Sequence, residues 1–345
     1  MNMVYVSALI ASLIAGFLLT ALMRYIAFKY NILDIPHGSL KVHKRPTPYL
    51  GGVAVYGGII IGLVLHFSDA VLFFPAYLWI FFGITGMLLL GLYDDIFMIS
   101  PAQKFLGQAF CTMLLLHAGS LSKTVFLSHP LWYAISFFFI MSLVNAFNLV
   151  DVMDGLATTI AITSLSSFFC IALMQGAYEY SLILLIVIGA LVGFFCWNRP
   201  VARIYLGDAG ALLIGTIVAI VPFFLSWSHE TMWGFVTPLA IVGIPLLEVA
   251  CLIIIRLALS IPPYQGSPHH FSIFLQKKGW SKWHILFWTM GNGIFLSCLG
   301  IGLMHKMISP IFFFLFSFFF LLQWVYVVFD DVWKQMKKTI SLCQQ

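Results

Sequence analysis

The strongest constraint on this fold is a succession of apolar runs, each about as long as a bilayer's hydrocarbon core is thick. They fall near 3–23, 49–67, 72–92, 102–118, 131–147, 156–174, 180–197, 207–225, 235–257, 284–304 and 308–329, against the roughly 17–25 residues that a spanning helix needs. The runs are continuous rather than alternating. Helices, not barrel strands, must therefore cross the bilayer, because a helix satisfies its own backbone where there is no water. Composition agrees: 62% of the residues are hydrophobic and 8% charged, where soluble domains sit near about 45–50% and 25%. The expectation is an all-α integral membrane protein of about 11 transmembrane helices. With no internal repeat and no linker, residues 1–345 read as a single polytopic membrane domain. The run at 102–118 is the least apolar, since it carries Gln103, Lys104 and Gln108. The six cysteines show no CxxC and no metal spacing, and read as small hydrophobes rather than a disulfide framework.

Charge sets the expected orientation. The first run has no basic segment before it and is followed by Arg24, the order of a helix that starts outside rather than of a cleaved signal peptide. With the N-terminus outside, fifteen of the seventeen Lys and Arg residues fall in inside segments, leaving Lys123 and Lys306 outside. An odd helix number then puts the C-terminus in the cytoplasm. The aspartates follow: Asp34, Asp94, Asp95, Asp151, Asp154, Asp208, Asp330 and Asp331 lie at inside loops or helix ends. The positive-inside rule does not require acids to gather there, so a catalytic or binding surface on the cytoplasmic face is the expected cause. The loops that would form it lie near 24–48, 93–103, 145–155, 198–207 and 258–283. A net charge of +5 spread in this way points to membrane sorting and not to nucleic acid.

Five segments carry chemistry. In Gly91-Leu-Tyr-Asp94-Asp95, followed by Lys104, adjacent carboxylates stand where a helix leaves the membrane. Two such neighbours repel, and at least one gains from a cation or shares a proton; divalent ions such as Mg²⁺ favour such oxygens together with substrate phosphates. A solvated boundary loop is the plainer alternative. In Asn145-x-x-Asn148-x-x-Asp151-x-x-Asp154-Gly155, polar groups recur every third residue, one drifting stripe if helical. Such residues are poor in helix interiors and costly near lipid, and an N-cap accounts for Asp154 but not for the other three. Gly207-Asp208-Ala-Gly210 sets a carboxylate at a helix start, where capping is a respectable alternative. The basic, proline-rich loop around Ser267-Pro268-His269-His270 could hold a diphosphate by charge, though a surface His pair is commoner than a ligand pair. Finally, Lys41-x-His43-x-x-Pro46-x-Pro48-x-x-Gly51-Gly52 is a turn-rich basic loop suited to an anionic lipid headgroup.

In this order, over roughly residues 30–285, these segments resemble the polyprenyl-phosphate N-acetylhexosamine-1-phosphate transferases, the glycosyltransferase family 4 group that also holds the phospho-MurNAc-pentapeptide translocases. The Asn-x-x-Asn-x-x-Asp-x-x-Asp-Gly run is the most specific element, and the Lys41-x-His43 motif looks closer to the GlcNAc-1-phosphate branch. The resemblance implies attack of undecaprenyl phosphate on the β-phosphate of a UDP-sugar with release of UMP, at the cytoplasmic face of the inner membrane. By the same resemblance Asp208 and Asn148 would hold Mg²⁺, with Mn²⁺ as the alternative ion. Asp94 and Asp95 would position or deprotonate the lipid phosphate, and Asp151 and Asp154 would line the nucleotide and metal pocket. Lys104, His269 and His270 would pair with phosphates, and Lys41, His43 and Asn145 would contact substrates. Membrane lipids are the other implied partners, and a homodimer is compatible with this reading.

The sequence also departs from that family's pattern. Val152 stands where Gly is frequent, Ala211 where Ser is frequent and Glu248 where Asp is frequent, and the His motif is reduced and has no Arg shortly before it. Sugar selectivity is the inference these departures weaken most. The rival readings are a peptidoglycan-type transferase, a polytopic transporter and an inactive relative. Transporter carboxylates sit near the midplane on broken helices, whereas these gather at one face.

Overall fold

A computed structural model describes residues 2–34, 46–67, 75–121, 130–227, 233–262 and 267–343. They form a helical membrane protein whose chain gathers into two compact units, Met1–Ser226 and Trp227–Gln345.

The first unit runs α1 (Asn2–Lys29), β1 (Leu33–Asp34), β2 (Thr47–Pro48), α2 (Gly51–His66), α3 (Pro75–Phe97), α4 (Pro101–Leu121), α5 (Pro130–Val150), α6 (Leu156–Met174), α7 (Tyr178–Asn198) and α8 (Gly207–Ile220), closed by a 3₁₀ turn at Val221–Phe224. The two short strands pair antiparallel, Leu33 opposite Pro48 and Asp34 opposite Thr47, and clasp the base of the first loop. Lys41 and His43 lie in that loop, outside the described residues.

In hydrocarbon, helices associate by close fit of small residues more than by exclusion of water. The seam between α1 and α7 is built this way: a Cβ on Gly189 would strike the Ser12 hydroxyl and the Leu9 carbonyl, and one on Gly193 would strike the Leu13 carbonyl. At the centre stands α8, whose residues Ala209 to Ile220 are all buried, packed against α3, α5 and α2.

The second unit runs α9 (Val236–Ile241), α10 (Gly243–Ala258), α11 (Phe271–Lys277), α12 (Lys282–Met304) and α13 (Pro310–Cys343). Ser281 caps α12 by accepting the His284 N–H at 3.2 Å. Aromatic rings fix α11 against α12 and α13: Phe271 sits 4.5 Å from Trp324 and 6.0 Å from Trp288, centroid to centroid.

Among the described residues eight helices are long and apolar enough to cross a membrane, against the eleven runs of the sequence. The run at 49–67 yields a helix of 16 residues, about 24 Å long and short of a full crossing. The helix α4 has the length, but Gln103, Lys104 and Gln108 lower its apolar character. The run at 235–257 breaks at Val242 into α9 and α10.

Candidate active site

The site residues of the first unit converge because four helix ends and two connecting loops meet at one end of that unit. The last turn of α3 brings Asp94 and Asp95, the first turn of α4 brings Lys104, and the last turns of α5 bring Asn145 and Asn148. Helix α5 stops at Val150, so the spaced polar run is not helical throughout: Asp151 and Asp154 occupy the turn that follows. That turn is possible because Gly155 adopts a left-handed φ of 73° before α6 starts.

Lys104 is the hub. Its ammonium bridges Asp94, at 2.8 Å, and Asp208, and lies 3.3 Å from the Asn148 side-chain oxygen. Asn148 in turn donates its amide N–H to Asp208 Oδ1 at 2.7 Å. The Asp94 carboxylate also accepts the Ile99 N–H at 3.0 Å, which stitches the loop between α3 and α4 to the site. The Lys104 and Asp94 side chains are 16% and 12% exposed, while Asp208 keeps 35%, so Asp208 is the member of the trio most open to a ligand.

Asp95 behaves differently from its neighbour. Both of its oxygens are taken by the start of α8, Oδ1 accepting the Asp208 N–H at 2.9 Å and Oδ2 the Ala209 N–H at 3.0 Å. A helix leaves its first N–H groups without intrahelical partners and concentrates partial positive charge there; Asp95 supplies the acceptor from 113 residues away. The approach is tight: Gly207 takes φ 73°, and a Cβ on it would lie 2.7 Å from Asp95 Oδ2.

Asp154 is buried, and its Oδ2 accepts the Ala202 N–H at 3.3 Å, joining the 151–155 turn to the 199–206 loop. Asp151 is partly buried, with its carboxyl pushed up to about 8 by burial first and then by the charges of Asp208, Asp95 and Asp154. Asn145 exchanges amide hydrogen bonds with Gln108, at 3.0 and 3.4 Å, and donates to the Met141 carbonyl at 2.8 Å. Sequence reasoning passed over Gln108, and also over Asn198 as a site residue. Asn198 is 2% exposed; it accepts from the Gly155 N–H and the Thr158 hydroxyl and donates to the Ile204 carbonyl. Its signal was a lone polar residue ending an apolar run.

Among the described residues no three His, Cys, Asp or Glu side chains converge on one point as a metal cage. Mg²⁺ does not need one: it is held by one or two carboxylates, waters and substrate phosphates. The donors around Asp208 are hard oxygens, and the Lys104 ammonium drawn among Asp94, Asp208 and Asn148 marks where this pocket favours positive charge. The hard-oxygen donors at this end of the unit therefore fit such an ion.

His269 and His270 belong to the second unit, at the entry to α11. Both are buried, and His270 Nδ1 lies 3.1 Å from Glu248 Oε1.

Comparison with known proteins adds the family context. The sequence profile described as glycosyl transferase family 4 matches residues 77–226, a span that holds Asp94, Asp95, Lys104, Asn145, Asn148, Asp151, Asp154 and Asp208. A probable undecaprenyl-phosphate N-acetylglucosaminyl 1-phosphate transferase of Bacillus subtilis is 29% identical over 77% of this chain and 76% of its own length. The undecaprenyl-phosphate alpha-N-acetylglucosaminyl 1-phosphate transferase of Thermotoga maritima is 31% identical over 84% of this chain and 88% of its own. A phospho-N-acetylmuramoyl-pentapeptide-transferase of Enterococcus faecalis is 31% identical over 75% and 84%.

Proposed function

The chain belongs to glycosyl transferase family 4, and on that premise we propose that it transfers an N-acetylhexosamine 1-phosphate, GlcNAc 1-phosphate in preference, from a UDP-sugar to undecaprenyl phosphate in cell-envelope glycan synthesis. The observation that carries this reading is the Asp94–Lys104–Asp208 bridge at the mouth of α8. It sets fixed positive charge beside carboxylates that can take a further cation, the equipment that a reaction between two phosphate anions requires.

In the reaction an oxygen of the lipid phosphate forms a bond to the β-phosphorus of the donor. The bond from that phosphorus to the bridging oxygen breaks, and UMP leaves with the oxygen. There is little covalent work for the protein to do, so charge and alignment dominate. Lys104 faces the phosphoryl oxygens and offsets their repulsion. Asp94 orients Lys104 and the incoming lipid phosphate, and Asp151 takes up or releases a proton at the same end. Asp154 holds the 199–206 loop, while Asp95 acts through the backbone of Asp208. Asp208 and Asn148 would hold Mg²⁺, which would supply electrostatic stabilisation of the charge developing on the phosphates.

The GlcNAc preference rests on the Lys41-x-His43 motif and on the names of the Bacillus and Thermotoga relatives. The cytoplasmic orientation rests on the asymmetry of Lys and Arg along the chain. Purified protein in nanodiscs, given Mg²⁺, undecaprenyl phosphate and a panel of UDP-GlcNAc, UDP-GalNAc and UDP-MurNAc-pentapeptide, tests both activity and preference. Lipid-dependent UMP release from UDP-GlcNAc is expected. Release only from the pentapeptide donor moves the protein to the other branch, and no release from any donor refutes the transferase reading.

A further inference from the structure

Helix α4 faces α5 through a stripe of polar side chains. Lys104, Gln108 and Thr112 stand at i, i+4 and i+8 on α4. Across from them Lys104 meets the Asn148 side-chain oxygen at 3.3 Å, Gln108 meets Asn145, and the Thr112 hydroxyl donates to Met141 Sδ at 3.4 Å. The rungs run from a charged one at the site, through a pair of amides, to a weak thioether bond farthest from it. Helix α4 packs chiefly along α3, and α5 chiefly along α8. The ladder is what ties the helix carrying Lys104 to the helix carrying Asn148.

The middle rung is fully internal. Gln108 is 1% exposed, and a primary amide buried between helices in a membrane is costly unless it finds a partner. The Met141 carbonyl only accepts, so the Asn145 side-chain atom 2.8 Å from it is the nitrogen. That fixes the orientation of the pair. The second N–H of Asn145 goes to Gln108 Oε1 at 3.0 Å, and Gln108 Nε2 donates back to Asn145 Oδ1 at 3.4 Å. Both side-chain N–H hydrogens of Asn145 are therefore spent inside the protein, and it has none to offer a substrate.

We infer that Gln108 and Asn145 are positioning residues: their paired amides fix the register of α4 against α5 and so hold the Lys104 ammonium among Asp94, Asp208 and Asn148. Apolar side chains here would pack at several offsets, whereas two opposed hydrogen bonds are made at one. Asn145 then stands behind the site and does not touch the substrate. That Lys104 faces phosphoryl oxygens rests on the transferase reading; the bracing of Lys104 does not.

The test uses the full chain in nanodiscs, with lysine isotope-labelled at Nζ and followed by NMR; the Lys104 ammonium signal is assigned by its loss in Lys104→Met. Gln108→Met keeps the length of the side chain and drops both bonds, and Asn145→Leu removes the other partner. Either stands in if its counterpart fails to fold. Each should move the Lys104 signal. Each should also lower kcat for UMP release roughly tenfold or more, with KM for UDP-GlcNAc within about twofold, as expected when a group acting in the transition state is misplaced. Combining the two should lower kcat no further, since a coupled pair is lost once. The exchange of Gln108→Asn with Asn145→Gln puts an amide back on each helix. It should return the Lys104 signal and most of kcat, which a merely destabilised protein would not do. An unmoved Lys104 signal in both single variants, or an exchange that restores neither readout, would overturn the inference. So would Asn145→Leu raising KM on top of Gln108→Met, the mark of a direct substrate contact. If the wild type releases no UMP, the transferase reading fails while the Lys104 signal still decides the role of the pair.

Discussion

Asp95→Asn isolates what a carboxylate does when both of its oxygens hold the start of a helix. In the wild type the bonds to Asp208 N and Ala209 N are 2.9 and 3.0 Å and charge-assisted, worth about 1.5–3 kcal/mol each, with roughly 0.3–1 kcal/mol more from the helix dipole. The amide keeps one acceptor and turns an N–H₂ against the second backbone N–H. One bond is lost, one donor is left unsatisfied and the charge is gone, so a loss of about 2–4 kcal/mol follows. Asp95 lies against the α8 start closely enough that only a glycine fits at position 207, where a Cβ would lie 2.7 Å from Asp95 Oδ2. Asp208 shifts with its backbone, and misplacement on the order of 1 Å costs about a hundredfold in rate. Thermal unfolding in nanodiscs and UMP release should fall together, with Asp95→Ala worse in both. If Asp95→Asn keeps the wild-type unfolding midpoint but loses all activity, Asp95 acts on the reacting groups and the anchoring argument is wrong.

Four further outcomes follow from the same geometry. Lys104→Met should abolish UMP release and cost about 3 kcal/mol, because Asp94 and Asp208 are left facing each other; adding Asp94→Asn should recover part of the stability but none of the activity, as read by unfolding and by product assay. Chelation of divalent cations should stop UMP release and Mg²⁺ should restore it, whereas Asp208→Ala should not respond to added Mg²⁺. Asp151 titrates near 8 in the folded protein, above its ordinary 3.8, so the native state binds the extra proton between those values. Its contribution to stability is therefore present below about 4 and is lost as pH rises through about 8; without divalent cations the unfolding midpoint should decline over that window, and Asp151→Asn should flatten the decline. Asn198→Asp should destabilise by about 2 kcal/mol or more, because the Ile204 carbonyl loses its donor and a charge is buried; an unchanged midpoint would remove Asn198 from the scaffold.

Much of this was visible along the chain. Apolar runs locate spanning helices, and acids at their ends locate a surface, because lipid forbids unpaired charge and the cost can be read from composition. What the sequence hides is how each acid is used. Asp94 and Asp95 are adjacent in the chain, yet one meets Lys104 and the other the backbone of α8; that difference comes from helix packing across more than a hundred residues. The every-third-residue spacing of Asn145, Asn148, Asp151 and Asp154 suggested a helical stripe, but Gly155 turns the chain and divides it into two helix-borne and two turn-borne groups. Runs counted as spans at 49–67 and 235–257 became a short helix and a broken one, because hydropathy averaging does not register a cap or a break. The burial of Glu248 beside His270 has no local signature at all, as the two meet across 22 residues.

The glycine seam between α1 and α7 has a bearing on depth. Where Gly189 and Gly193 take Ser12 and Leu13 into contact, sliding by even one residue would drive a larger side chain into backbone, so the two helices cannot shift along the membrane normal independently. Helix α1 leads into the Leu33–Pro48 clasp and α7 leads into the 199–206 loop, and the two are tied where Tyr205 donates to the Pro48 carbonyl at 2.7 Å. The seam thus works as a depth gauge, holding both loops at one level so that Asp208, two residues beyond the second, is presented at a fixed height.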